Sequence, residues 1–331
     1  MCGGATFGAA GCGSSGFQTL QGGVVWLRDT TWEQPATFSG SSGQQTHLVS
    51  ALKGGGSLRF SSGNLNTRTK ITGNNSDFTG QIRLGSTVKT GSVSANTVLE
   101  FDAPENLGGA RASFDSRSLY IERGSVLAPV NPMVLEANNR GIFVDTEGKI
   151  VVTNGTFGIQ RPIRMTGSLR KEGVGVLALG GELTFGTDGT DAPDGANNIL
   201  NVAAGAIEPL TTNGFARLSI SFAAGTRLIV DAASADSDVR TFGLFNSYGA
   251  FTLPSDGKLR ATVVNAPDRG PVHVALCTVT SEAASALAGN IVVDEVGMKN
   301  GHILRESITV AGRPMVRFSA DFANGTVIIV R

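Results

Sequence analysis

The stretch from Asn138 to Gly181 reads NNRGIFVDTEGKIVVTNGTFGIQRPIRMTGSLRKEGVGVLALGG, and its punctuation decides the fold. Short β-branched and aliphatic runs (Ile142–Val144, Lys149–Thr153, Phe157–Ile159, Leu169–Lys171 and Val174–Leu179) alternate with Gly, Asn and Thr. Gly and Asn suit tight turns because both tolerate positive φ. No apolar period of helical length runs through the stretch, so it predicts short strands and turns. Strands this short cannot bury an apolar face alone and must stack on copies of themselves.

The same pattern extends in both directions. Upstream lie Val24–Leu27, the unit GGGSLRFSSG, Gln81–Leu84, Thr97–Phe101, Ser118–Ile121, Ser125–Leu127 and Met133–Glu136. Downstream lie Glu182–Phe185, Ile199–Val202, Leu218–Phe222 and Thr226–Val230. Within GGGSLRFSSG, Leu58 and Phe60 are expected to face one way, and Ser57 and Arg59 the other. The repetition is imperfect, with coils of about 20–25 residues. Antiparallel hairpins would make a sandwich or barrel. A parallel solenoid accounts better for irregular loops such as Thr187–Asn198, which bulge outward without disturbing the stack. About ten coils at a spacing of about 4.8 Å make a rod near 50 Å long.

From Ala233 the strands lengthen: Lys258–Val264, Val272–Val279, Ile291–Val296, Ile303–Val310, Met315–Ser319 and Thr326–Val330. One short helix is expected over Glu282–Leu287, with Ser281 as N-cap and Gly289 as stop. The expected division is an incomplete or flexible start (1–22), a repeat region (23–234) and a C-terminal β-rich cap (235–331), partly antiparallel. A cap is needed because an exposed last coil is an aggregating edge.

Composition narrows the function classes. The 331 residues include 45 Gly, with 27 basic and 27 acidic side chains. A protein that neutralises phosphates would carry a clustered basic excess, so nucleic acid is a poor partner. No apolar run is long enough for a membrane-spanning helix. Phe outnumbers Trp and Tyr, at 17 against 2 and 2. That balance suits interior ladders, because Phe has no polar atom to satisfy. The start, MCGGATFGAAGCGSSGF, lacks the basic and apolar regions of an intact signal peptide. Cys2, Cys12 and Cys277 allow at most one disulfide and have no metal-type spacing.

Gly167-Ser168-Leu169-Arg170-Lys171-Glu172-Gly173-Val174-Gly175-Val176-Leu177-Ala178-Leu179-Gly180 resembles the passenger-associated repeat of autotransporter-type bacterial surface proteins. Lys171, the two glycines and the leucine alternation carry the likeness. NNRGIFV and PIRMTG resemble the pieces that precede that repeat, and Asn74–Gly80 resembles the turn that follows it. The resemblance implies an all-β fold, a right-handed parallel β-helix, on an extracellular or cell-surface protein of a Gram-negative-type bacterium. The C-terminal membrane barrel of a complete autotransporter is not found in this sequence.

No chemical constellation stands out. Gly173-x-Gly175-x-x-Ala178 fits the dinucleotide fingerprint formally, but strand residues run through it where a helix should begin. Asp188, Asp191 and Asp194 lack the alternate spacing of a calcium loop, as do Asp231, Asp236 and Asp238. His47, His273 and His302 are far apart in sequence with no ligand companions. Glu172 and Glu182 flank strands without forming an acid/base pair. The Asn-x-Ser/Thr sites at Asn74, Asn154 and Asn324 are read as turns. Lys171 is read as a repeat position.

The expectation is therefore a non-catalytic structural stalk or adhesin, without cofactor or metal. It would meet a glycan or protein ligand as a monomeric rod or part of a larger chain. A β-helix lyase or glycosidase is the alternative; it requires a sheet face bearing carboxylates or basic residues. A carbohydrate-binding module is disfavoured by the scarcity of Trp and Tyr.

Overall fold

The computed structural model describes residues 6–8, 17–28, 31, 35–40, 45–62, 67–85, 97–181, 183–185, 199–210, 219–232, 244–245, 251–266, 270–294, 302–310 and 312–324. The chain is mostly β, with long parallel sheets. Within Asn138–Gly181 it runs Arg140–Val144, Glu147–Val151, Thr156–Ile159, Ile163–Met165, Ser168–Glu172 and Val176–Leu179. These six strands belong in rotation to three sheets of eight, ten and seven strands. Each strand pairs with its counterpart one circuit later, so Ile142 lies beside Ile163, Ile150 beside Lys171 and Phe157 beside Leu177. All pairing within these three sheets, and in the two-stranded sheet of Val24–Trp26 and Ala51–Lys53, is parallel. The antiparallel sandwich and barrel are thereby excluded.

Period-two alternation sets which side chains enter the core. In the eight-stranded sheet, Leu58, Ile82, Leu119, Ile142 and Ile163 form one register row, and all are buried. A second inward row runs Phe60, Leu84, Ile121, Val144 and Met165, each fully buried. Each such side chain contributes about 1.5–3 kcal/mol of burial free energy. As expected, Leu58 and Phe60 point inward and Arg59 outward; Ser57, however, is buried, its hydroxyl donating to Gln81 Oε1 at 3.1 Å. Interior aromatic contacts join Phe101 to Phe157 and Phe222 to Phe251.

Parallel pairing reaches past residue 235, through Phe251–Thr252, Leu259–Val264 and Ile291–Asp294. A four-stranded sheet then departs from this pattern. Gly270–Thr280 and His302–Val310 both flank Arg313–Asn324 in antiparallel register. Its buried Val274, Leu276, Val279, Val316 and Phe318 join the same hydrophobic cluster as Leu228 and Leu259.

The helix spans Ser281–Leu287, and its cap lies one residue earlier than expected. The Thr280 hydroxyl accepts from the Ala283 amide at 3.2 Å. Ile163–Met165 is a strand the sequence pattern did not disclose, because an arginine interrupts it and a proline precedes it. The predicted strand Thr326–Val330 lies outside the described residues. Asn75 also differs from its reading as a turn residue. It is fully buried; its Oδ1 accepts from Leu52 N at 2.7 Å, and its Nδ2 donates to Asn106 O at 2.6 Å. Its amide bridges circuits instead of easing a positive φ. Asn74 makes the local turn, accepting from Ser76 N at 3.0 Å.

Candidate functional site

Corners between the sheets pose a physical problem: their carbonyls leave the ladder, and a buried carbonyl without a donor is costly. Lys171 addresses one such corner. It sits inward in a row between Ile150 and Val202 and is fully buried. Its Nζ donates to Gly173 O and Gly175 O in its own circuit and to Ala204 O in the next, the last at 2.7 Å. Burial pulls its ammonium down to about 8, so it remains largely cationic at neutral pH.

The glycines of the repeat follow from the same corner. Gly173 has φ +77°, and a Cβ there would lie 2.2 Å from Val152 O. At Gly205, also at positive φ, a Cβ would meet Lys171 Nζ at 2.3 Å. The glycine pattern therefore builds a pocket of carbonyls around an ammonium. Val176–Leu179 continues as strand, which removes the dinucleotide reading.

On the outer side of the eight-stranded sheet, a row of outward side chains emerges that the sequence reading missed. Its members in register are Arg59, Arg83, Tyr120, Phe143 and Arg164. Tyr120 and Phe143 stack at 4.9 Å with an interplanar angle of 5°. Arg83 lies over Tyr120 at 5.3 Å, and Arg117 over Phe143 at 5.3 Å. Glu122 accepts from Arg59 at 2.9 Å and also pairs with Arg83. Asp145 accepts from the Tyr120 hydroxyl at 2.9 Å and from Thr146 and Thr166 at 3.1 Å each. Burial, then the bond to Asp145, pushes the Tyr120 phenol well above its ordinary value. Burial is also what lowers Arg59, against the opposing pull of Glu122.

The signal was present in the alignment of repeats: Leu58-Arg59-Phe60, Ile82-Arg83-Leu84, Leu119-Tyr120-Ile121, Ile142-Phe143-Val144 and Ile163-Arg164-Met165. Each triplet offers two inward apolar residues and one outward side chain, and reading the middle positions together spells the row.

The third sheet carries a pair of outward carboxyls. Burial, then the charge of Asp231, raises Glu208 above the ordinary carboxyl range. Asp231 accepts from Asn265 Nδ2 at 3.1 Å.

The remaining candidates are dispersed. His47 Nε2 lies 2.8 Å from Thr72 Oγ1. His273 and His302, distant in sequence, both stand opposite Asp321 in the antiparallel sheet. Among the described residues, no group of three His, Cys, Asp or Glu side chains is arranged to hold a metal ion. Glu172 pairs with Arg170 at 2.6 Å. Cys277 is a buried free thiol that burial pushes up to about 12. Asn154 lies between strands, whereas Asn324 ends one and pairs with Gly270. Asp188, Asp191, Asp194, Asp236, Asp238, Glu182, Cys2 and Cys12 lie outside the described residues.

Among the described residues, no helix is long and apolar enough to cross a membrane. Compared with known proteins, the chain matches no family model, no curated protein and no solved structure.

Proposed function

We propose that this chain is a non-catalytic surface or secreted passenger of a Gram-negative-type bacterium, a stalk or adhesin built as a right-handed parallel β-helix with a C-terminal β-rich cap. The observation that carries this reading is the use made of the charged outer row. Arg59 and Arg83 both pair with Glu122, while Tyr120, Thr146 and Thr166 all donate to Asp145. Such contacts hold the charged groups in place on the outer sheet face, where the partly exposed Arg59, Arg83 and Glu122 would meet a glycan or protein ligand. Incubating the purified chain with a glycan panel and analysing the sugars by mass spectrometry tests it. Retention without cleavage is expected; bond cleavage at enzyme-like rates contradicts it.

The alternative, a β-helix polysaccharide-cleaving enzyme, draws on Glu208 and Asp231. A carboxyl raised by burial next to a second carboxyl is the arrangement general acid catalysis requires. If cleavage is found, this reading requires Glu208→Gln to abolish it while leaving the fold intact.

A further inference from the structure

Two guanidinium groups are buried at the corner where the third face turns into the first. Arg140 precedes Ile142 by two residues and Arg161 precedes Ile163 by two, and Ile142 and Ile163 are register partners. The arginines therefore occupy the same place in consecutive circuits. Both are sealed from solvent, at 0% and 1% exposure.

Arg140 reaches back along the stack, its Nη2 donating to Gly80 O at 2.9 Å and its Nη1 to Gly109 O at 3.2 Å. Arg161 Nε donates to Glu136 O at 2.8 Å, in the connection leading into Arg140. Arg161 is the foremost charge acting on Arg140.

Two donors remain unmatched. Arg140 Nε and Arg161 Nη1 are buried and have no acceptor among the described residues. Among the described residues, nearby countercharge is scarce. Asp115 acts on Arg140 but is also held by Arg111 at 3.4 Å and Gln81 at 3.0 Å, and among the described residues no carboxylate acts on Arg161. Carbonyls supply hydrogen bonds but no net charge. Burying two like charges side by side is costly unless something neutralises them, and an unmatched buried donor adds to the cost.

We infer that this corner is a binding site for a small monovalent anion, chloride, which accepts from Arg140 Nε and Arg161 Nη1. The sealed position favours a monatomic ion over sulfate or phosphate, whose additional oxygens would need donors of their own. The site is independent of what the outer surface binds.

The test uses the full chain in mixtures of sodium gluconate and sodium chloride at constant ionic strength. Chloride is expected to raise Tm saturably by about 2–4 °C, with Arg161→Met abolishing the dependence. Crystals grown in sodium bromide are expected to show an anomalous peak within hydrogen-bonding distance of both side chains. Equal Tm in the two salts, a chloride response that persists in Arg161→Met, or crystals without a bromide peak at the corner would overturn the inference. If Arg161→Met does not fold, the wild-type titration and the bromide map decide between these outcomes.

Discussion

Inside the stack, Lys171, Arg140 and Arg161 meet backbone carbonyls; on the outer row of the eight-stranded sheet, Arg59 and Arg83 meet the carboxylate of Glu122. The residue types are the same, but the alternatives open to their partners differ. The bonds to Gly80 O and Gly175 O are buried, where little water can replace a lost donor, so the cation there is part of the fold. Glu122 is partly exposed, with 15% of its side chain accessible, and water can take over some of its bonding. The difference separates positions that build the stack from those free to serve a surface.

Arg140 provides the largest expected effect. Replacing it with Met leaves Gly80 O and Gly109 O without their donor. The loss is about 2–4 kcal/mol by urea unfolding, even after relief of the buried charge. A loss no greater than that of an outer-row substitution would erase the distinction between the two regions.

Tyr120 sharpens the comparison from the outer side. Tyr120→Phe removes the hydrogen bond to Asp145 and is expected to cost about 1 kcal/mol. Because the folded phenol is held above its ordinary value, the unfolded chain releases its proton first. The contribution of Tyr120 is therefore complete below about pH 10 and lost as pH rises further. Ultraviolet titration should show one of the 2 tyrosines ionising late, in step with unfolding. Ionisation of both in the folded protein near pH 10 would contradict the placement.

Much of the architecture was legible in the sequence. Period-two alternation with Gly and Asn punctuation exposed the strands, and Thr97–Phe101 and Ile199–Val202 have the bounds their sequence predicts. Lys171 reads as a repeat position, but the use made of a lysine there was hidden: the Ala204 carbonyl it bonds lies in the next circuit, 33 residues away. Asn75 was obscured similarly, since a turn-forming residue and a buried amide bridge look alike in one dimension. The outer row was hidden because its members are separated by loops of unequal length, so only the register places Arg83 beside Tyr120. His273 and His302 are brought to Asp321 by antiparallel pairing, which local sequence does not encode.

Urea unfolding at pH 7 of Lys171→Met against Glu122→Gln tests the central claim most directly, namely that inward cations hold the stack and outward ones decorate it. Losing the donor to three carbonyls, that of Gly175 buried with it, should cost about 2–4 kcal/mol, and weakening the partly exposed pair about 1 kcal/mol. A Lys171→Met chain as stable as Glu122→Gln, or more stable, would contradict the account.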